Sequence, residues 1–129
     1  MLTSIKMAFT KLFTSTMKEF LNKLRILKKD DVIFEDAYNN FCMASRLDSQ
    51  NVVVQFNEYV SPYKGEIRDK NENFFLNFDY SVIDGSDGVD TYSKILANIW
   101  KGVSEESKVS IWKYLEVLVC LSSKACEAN

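Results

Sequence analysis

From Ile5 to Leu27, apolar side chains return every three or four residues: Ile5, Phe9, Leu12, Phe13, Met17, Phe20, Leu24 and Leu27. At about 100° per residue they fall on one stripe, which predicts a long amphipathic helix over residues 2–28. Lys11, Lys18, Arg25 and Lys29 fall on the opposite face. Thr3, Ser4, Thr10, Thr14, Ser15 and Thr16 lower the intrinsic helix propensity of the segment. Packing, more than propensity, has to hold it.

Polar punctuation divides the rest of the chain. Asp30 and Asp31 offer an N-cap for a second helix to about Leu47, with Ile33, Phe34, Ala37, Tyr38, Phe41 and Ala44 inward. Asp48 and Ser49 offer another cap, and Val53, Phe56 and Val60 suit a third helix. The β-branched run Val52-Val53-Val54 is compatible with a short strand; the surrounding 3.6-residue period favours helix. Ser61-Pro62 ends that helix and starts a fourth, to about Asn73, with Ile67 inward. Phe74, Phe75 and Leu76 follow as a core anchor. Residues 77–89, with Asp79, Asp84, Gly85, Asp87 and Gly88, read as a loop. Asp90 or Thr91 opens a fifth helix with Tyr92, Ile95, Leu96, Ile99 and Trp100 inward, closed by Gly102 in a left-handed conformation. Ser104 caps a sixth, with Glu105 and Glu106 complementing its dipole. Its inward set is Ile111, Trp112, Leu115, Leu118, Val119 and Ser122, and residues 125–129 are expected to fray.

The pattern predicts an all-α fold, a single compact bundle of about five to six helices, with residues 1–129 as one domain. Helix 2–28 either packs on residues 30–124 or projects from them. A hydrophobic content of 47% over 129 residues suffices for one core and excludes a disordered chain.

Charge sharpens this picture. The net charge is only −2, yet residues 1–29 carry seven basic groups and one acid, or +6, and the remainder carries nine basic and seventeen acidic groups, or −8. The basic helix therefore has three readings besides a solvated core helix: docking on an acidic partner, contact with nucleic-acid phosphates, or lying on an anionic membrane. The acidic remainder disfavours approach to a polyanion. No run is apolar enough for a membrane span or a secretory leader, since Lys6, Lys11 and Lys18 interrupt the first helix. The expected location is intracellular or within a virus particle.

Candidate chemistry is sparse. There is no His, which removes the commonest general base and neutral metal ligand. Cys42, Cys120 and Cys126 lack zinc-ligand spacing, and Cys120, in an apolar run, reads as a buried thiol. So few cysteines in so large a chain argue against a disulfide framework, which makes a reducing compartment the default. Asp84 to Asp90 suggests a calcium loop but has Val89 where the sharp turn needs Gly and Ile95 where a bidentate Glu is needed. Glycine-rich phosphate loops and nucleophile elbows are absent, and adjacent acids such as Asp30-Asp31, Glu35-Asp36 and Glu105-Glu106 suit helix caps. No metal, cofactor or catalytic activity is expected. Trp100 and Trp112, each before a Lys, are expected in the core, with a partner-facing edge as the functional alternative.

Pro62-Tyr63, Glu66-Ile67, Asn71-Glu72-Asn73-Phe74-Phe75-Leu76, Ile99-Trp100-Lys101, Lys108 and Ile111-Trp112-Lys113-Tyr114-Leu115 occur in that order. This half of the chain resembles small uncharacterised helical proteins of nucleocytoplasmic large DNA viruses. It departs at Glu116, where such proteins often have Gln. The resemblance implies a viral, all-helical protein of the infected cell or the virion and transfers no catalytic residue. The expected role is non-enzymatic and made through protein contacts; the alternative is binding to nucleic acid or an anionic membrane through the basic helix. The candidate interaction residues are Lys11, Lys18, Arg25, Lys29, Trp100 and Trp112.

Overall fold

The computed structural model describes residues 2–77, Ile95 and residues 98–127. The fold is all-α, with no strand among the described residues. Its helices are α1 (Leu2–Leu27), α2 (Val32–Val60), α3 (Lys64–Arg68), α4 (Glu72–Asn77) and α5 (Glu105–Glu127), with a 3-10 turn at Ser61–Tyr63. α1 packs against both α2 and α5, which also meet each other.

The hydroxyls of α1 are absorbed locally. Thr10 Oγ1 donates to Lys6 O, Thr14 Oγ1 to Thr10 O and Ser15 Oγ to Leu12 O. These bonds satisfy the side chains within the helix. The helix is held by Phe13, Met17, Phe20, Leu21 and Leu24, all buried. Phe13 has no exposed surface and sits 5.0 Å from Phe56 and 6.5 Å from Phe41, joining both halves of α2. Helix 2–28 is thus part of the core.

The expected second and third helices form one bent element. Asp31 caps α2 by accepting from Ile33 N at 3.0 Å. At Asp48 the backbone turns extended (φ −161°, ψ 88°), and its carboxylate accepts from Asn51 N at 3.0 Å. Asp48 is therefore the cap that its sequence position suggested, but the next helix resumes with no intervening loop. Phe34, Ala37, Phe41, Val52, Val53, Phe56 and Val60 are buried. The residues Val52 to Val54 are helical. Ala44 is exposed and Ser45 buried instead, its hydroxyl bonded to Cys42 O.

Ser61 does not act as a side-chain cap; Ser61-Pro62-Tyr63 forms the 3-10 turn. The fourth helix is also shorter than the pattern suggested. Lys70 adopts φ 55°, Lys70 N donates to Ile67 O, and Asn71 N donates to Glu66 O. That is the paired termination of a Schellman motif, written with Lys where glycine is usual. Asn71 then opens α4, its Oδ1 accepting from Phe74 N at 3.2 Å. Phe75 is the core anchor, Phe74 is half-buried, and Leu76 is exposed.

Gly102 (φ 69°) takes the left-handed conformation expected of it. These two residues give opposite expected outcomes. Lys70→Gly relieves the left-handed strain of a side chain that is exposed, and raises stability by about 1 kcal/mol; Gly102→Ala introduces it and costs about 1 kcal/mol. Urea unfolding midpoints of the two variants check both.

Ser104 caps α5, its Oγ accepting from Ser107 N at 3.2 Å. Ile111, Trp112, Leu115, Leu118 and Ser122 are buried and Val119 is half-buried, as the pattern required. Two expectations fail on this helix. Residues 125–127 do not fray: α5 runs to Glu127, and Ala125 is buried; residues 128–129 lie outside the described residues. Cys120 is exposed, because it lies about 200° around the helix from Leu118, on the face of Lys113 and Glu116. Ile95, Ile99 and Trp100 are buried as expected; Tyr92, Leu96 and the Asp84–Asp90 segment lie outside the described residues.

Two ammonium groups fasten distant elements. Lys28 Nζ donates to Asn98 O at 2.8 Å and Lys101 O at 2.6 Å, satisfying carbonyls where that segment ends. Burial pulls the Lys28 pKa below its ordinary value. Lys108 Nζ lies 2.7 Å from Glu72 Oε1 and 3.3 Å from Glu105 Oε1. Hydrogen bonding to Glu72 is the main cause that holds the Lys108 pKa above its ordinary value. A raised ammonium pKa means that the folded chain keeps this proton longer than the unfolded one. The contribution is complete at neutral pH and is lost as pH rises through the alkaline lysine range. Glu72→Gln is expected to flatten that alkaline loss, as read from urea midpoints at neutral and alkaline pH.

Candidate interaction surface

The stripe read from α1 splits in two. Its inner part is the core set described above. Ile5, Leu12 and Leu27 remain exposed, and Ile26, outside the stripe, is 65% exposed. Ile5, Leu12, Glu19 and Ile26 follow one another at seven-residue steps, so they lie within about 60° on one side of α1. Of these, Glu19 and Ile26 border α5, through the Tyr114 hydroxyl and a shared cleft.

Between α1 and α5 runs a cleft of ≈340 Å³. Phe20, Leu24 and Ile111 form its floor, and Lys23, Ile26, Leu27, Ser107, Ser110 and Tyr114 its walls. It continues into a depression of ≈280 Å³ lined by Thr16, Ser110, Lys113, Tyr114 and Val117. Small side chains on α5 (Ser107, Ser110) open the seam, and apolar ones flank it. Tyr114 sits at its centre. Its ring stacks on Phe20 at 5.0 Å, and its hydroxyl donates to Glu19 Oε1 at 2.9 Å. Lys23 Nζ is 3.5 Å from the same carboxylate oxygen and 5.2 Å from the Tyr114 ring. Hydrogen bonding with Tyr114, and secondarily the Glu19 carboxylate, holds the Lys23 pKa above its ordinary value. The seam thus combines apolar walls with one charge-balanced polar group, the mixture found where proteins meet.

The four basic candidates are not gathered into one site. Lys11 and Lys29 are exposed and Lys18 is half-buried, while α1 rises about 24 Å between Lys11 and Leu27. Arg25 is built into the contact with α2. Its Nε donates to Asn22 Oδ1 at 2.8 Å, its NH1 lies 3.4 Å from Glu35 Oε1, and its guanidinium lies 3.9 Å from the Tyr38 ring centroid. Lys11 instead borders a cleft of ≈460 Å³ at the bend of α2, with Lys6, Arg46 and Asp48.

Both tryptophans are core residues. Trp100 is 2% and Trp112 6% exposed, stacked at 4.2 Å, with Phe75 6.2 Å from Trp112. Neither offers an edge to a partner, which corrects their candidacy. Their spacing from other apolar residues already pointed inward.

A third space, an apolar cavity of ≈160 Å³, lies among Met17, Phe20, Phe41, Phe56, Leu115 and Leu118, with Asn40 and Gln55 at its mouth. Among the described residues, no carboxylate, ammonium or thiol lines it. Among the described residues no group of three or more His, Cys, Asp or Glu could hold a metal ion, and no helix is long and apolar enough to cross a membrane.

Sequence reasoning missed Lys23, Ile26, Leu27 and Tyr114 as surface residues. Ile26 carried the available signal, an isoleucine beside Arg25 and off the apolar stripe. The described residues form a helical bundle with a mixed apolar and polar groove between α1 and α5. No protein family, characterised protein or solved structure matches the chain.

Proposed function

We propose that this chain is a non-enzymatic helical protein that acts through protein contacts made on the α1–α5 seam. The observation that carries this reading is the exposed apolar set Ile26, Leu27 and Val117 lining the cleft and depression that meet at Tyr114. Side chains of this size gain by leaving water, and the folded chain leaves them uncovered. Cross-linking through Lys23 and Lys113, read by mass spectrometry, tests it. Links to a second polypeptide that disappear in Ile26→Glu support it, and links confined within one chain overturn it. The resemblance to large-DNA-virus proteins supports a virion-associated or structural role. Mass spectrometry of purified particles against infected-cell lysate tests that part.

The second reading, binding of nucleic acid or an anionic membrane, is favoured by one observation: Lys6, Lys11 and Arg46 border a single cleft. Salt dependence separates the two readings. Four phosphate contacts on duplex DNA give a slope of about −3.6 in log affinity against log salt. The expected outcome is no tight binding to DNA or RNA at moderate salt, by fluorescence anisotropy. Tight binding with a steep slope, abolished by changing Lys11, Lys18, Arg25 and Lys29 to Ser, reverses the preference.

A further inference from the structure

The apolar cavity has no part in the seam's contact reading; it is a product of the bend in α2. Phe41 and Phe56 both lie within 6.5 Å of Phe13, though a straight helix would set them about 22 Å apart. The two arms of α2 therefore close on one space of ≈160 Å³, with Met17 and Phe20 from α1 and Leu115 and Leu118 from α5 as further walls. Ala37 and Ala44, seven residues apart on the first arm, offer it only methyl groups. Close-packed interiors hold few voids larger than a water molecule. Water gains little by filling this one, because a buried water needs roughly two to four polar partners and these walls are apolar.

We propose that the cavity is a binding site for a small neutral ligand, a single aromatic ring carrying one hydroxyl group. Volume sets the size: a cavity of about 150 Å³ lined by Leu, Ile and Phe stays dry and takes benzene. The rings of Phe20, Phe41 and Phe56 in the wall favour an aromatic occupant, through offset and edge-to-face contact. The mouth sets the polar end. Asn40 and Gln55, one from each arm of α2, are both exposed there, and each amide can donate and accept. A hydroxyl at the mouth meets them while the ring lies inside. Charge disfavours the ionised relatives. Among the described residues no charged group lines the cavity, so a buried carboxylate or ammonium finds no partner. Asp36 and Glu58, exposed one turn along the helix from Asn40 and Gln55, further oppose an anion at the mouth. The small, exposed Ala44 at the rim leaves a way in.

Isothermal titration calorimetry of the full chain with benzyl alcohol, toluene, benzoate and benzylamine tests the proposal. Benzyl alcohol is expected to bind once per chain, with a dissociation constant below about 1 mM. Toluene binds about twofold to tenfold more weakly, for want of the hydrogen bond at the mouth. Benzoate and benzylamine bind at least about tenfold more weakly than the alcohol. Nuclear Overhauser contacts from the ring protons to the methyls of Met17 and Leu118 place the ligand. Ala37→Leu fills the space, and is expected to abolish binding while the helical circular dichroism stays unchanged. Ala44→Phe, made from the exposed rim, narrows the mouth without disturbing the core and weakens binding in the same direction. Asn40→Leu together with Gln55→Leu brings benzyl alcohol down to the affinity of toluene and leaves toluene unchanged. No saturable binding of benzyl alcohol or toluene overturns the proposal. So does binding that is indifferent to both Ala37→Leu and Ala44→Phe, or that shows its contacts elsewhere. Benzoate or benzylamine binding as tightly as benzyl alcohol overturns the neutral class of ligand.

Discussion

Removal of residues 1–29 leaves a chain with no cooperative thermal transition. α1 gives the core Phe13, Met17, Phe20, Leu21 and Leu24, five large side chains each worth roughly 1.5–3 kcal/mol when buried. Their sum matches or exceeds a domain's net stability of about 5–15 kcal/mol. The deletion also uncovers the faces of α2 and α5 that α1 separates from water, and takes Lys28 from the carbonyls of Asn98 and Lys101. Circular dichroism melting of the truncated chain checks it: a flat, non-sigmoidal trace is expected. A sharp transition near that of the full chain shows α1 to be dispensable.

Trp112→Ala carries the largest single-residue effect. The indole is buried between Trp100 at 4.2 Å and Phe75 at 6.2 Å, so truncation opens a cavity where α4, α5 and the segment ending at Gly102 meet. Such losses cost about 3–5 kcal/mol. For a chain of this length that lowers the melting temperature by on the order of 10–20 °C. Trp100→Phe is expected to cost much less than Trp100→Ala. Trp100 Nε1 is buried with no acceptor among the described residues, and phenylalanine removes that unsatisfied donor while keeping most of the stacking surface. Differential scanning calorimetry of the three variants checks the order.

The caps were legible because they are local. Asp31, Asp48, Gly102 and Ser104 each act within three residues of themselves, and each does what its residue type suggests. The inner face of α5 was legible because α1, α2 and α3, which all meet it, bury the positions that its period marks inward. α1 was less so. It touches two helices, and its apolar residues exceed what those helices cover, so periodicity alone could not separate Leu24, buried, from Leu12 and Leu27, exposed. Lys28 and Tyr114 were illegible for another reason. Lys28 meets carbonyls about seventy residues away, and the Tyr114 hydroxyl meets a carboxylate ninety-five residues away. No local pattern encodes such pairs. Lys70 ran against its pattern, since its side chain gives no sign of the left-handed turn it makes.

The pairing of the first helix with the last has a consequence for synthesis. Leu24 of α1 and Ile111 of α5 line the same cleft, so α1 is complete long before its cover exists. At about 5–20 residues per second, the 87 residues from Arg25 to Ile111 take roughly 4–17 seconds to leave the ribosome. For those seconds Phe20 and Leu24 can meet α2 but not α5. The nascent chain must hold that half-covered helix out of reach of its neighbours until Ile111 emerges, which makes α1 the segment on which a chaperone would act.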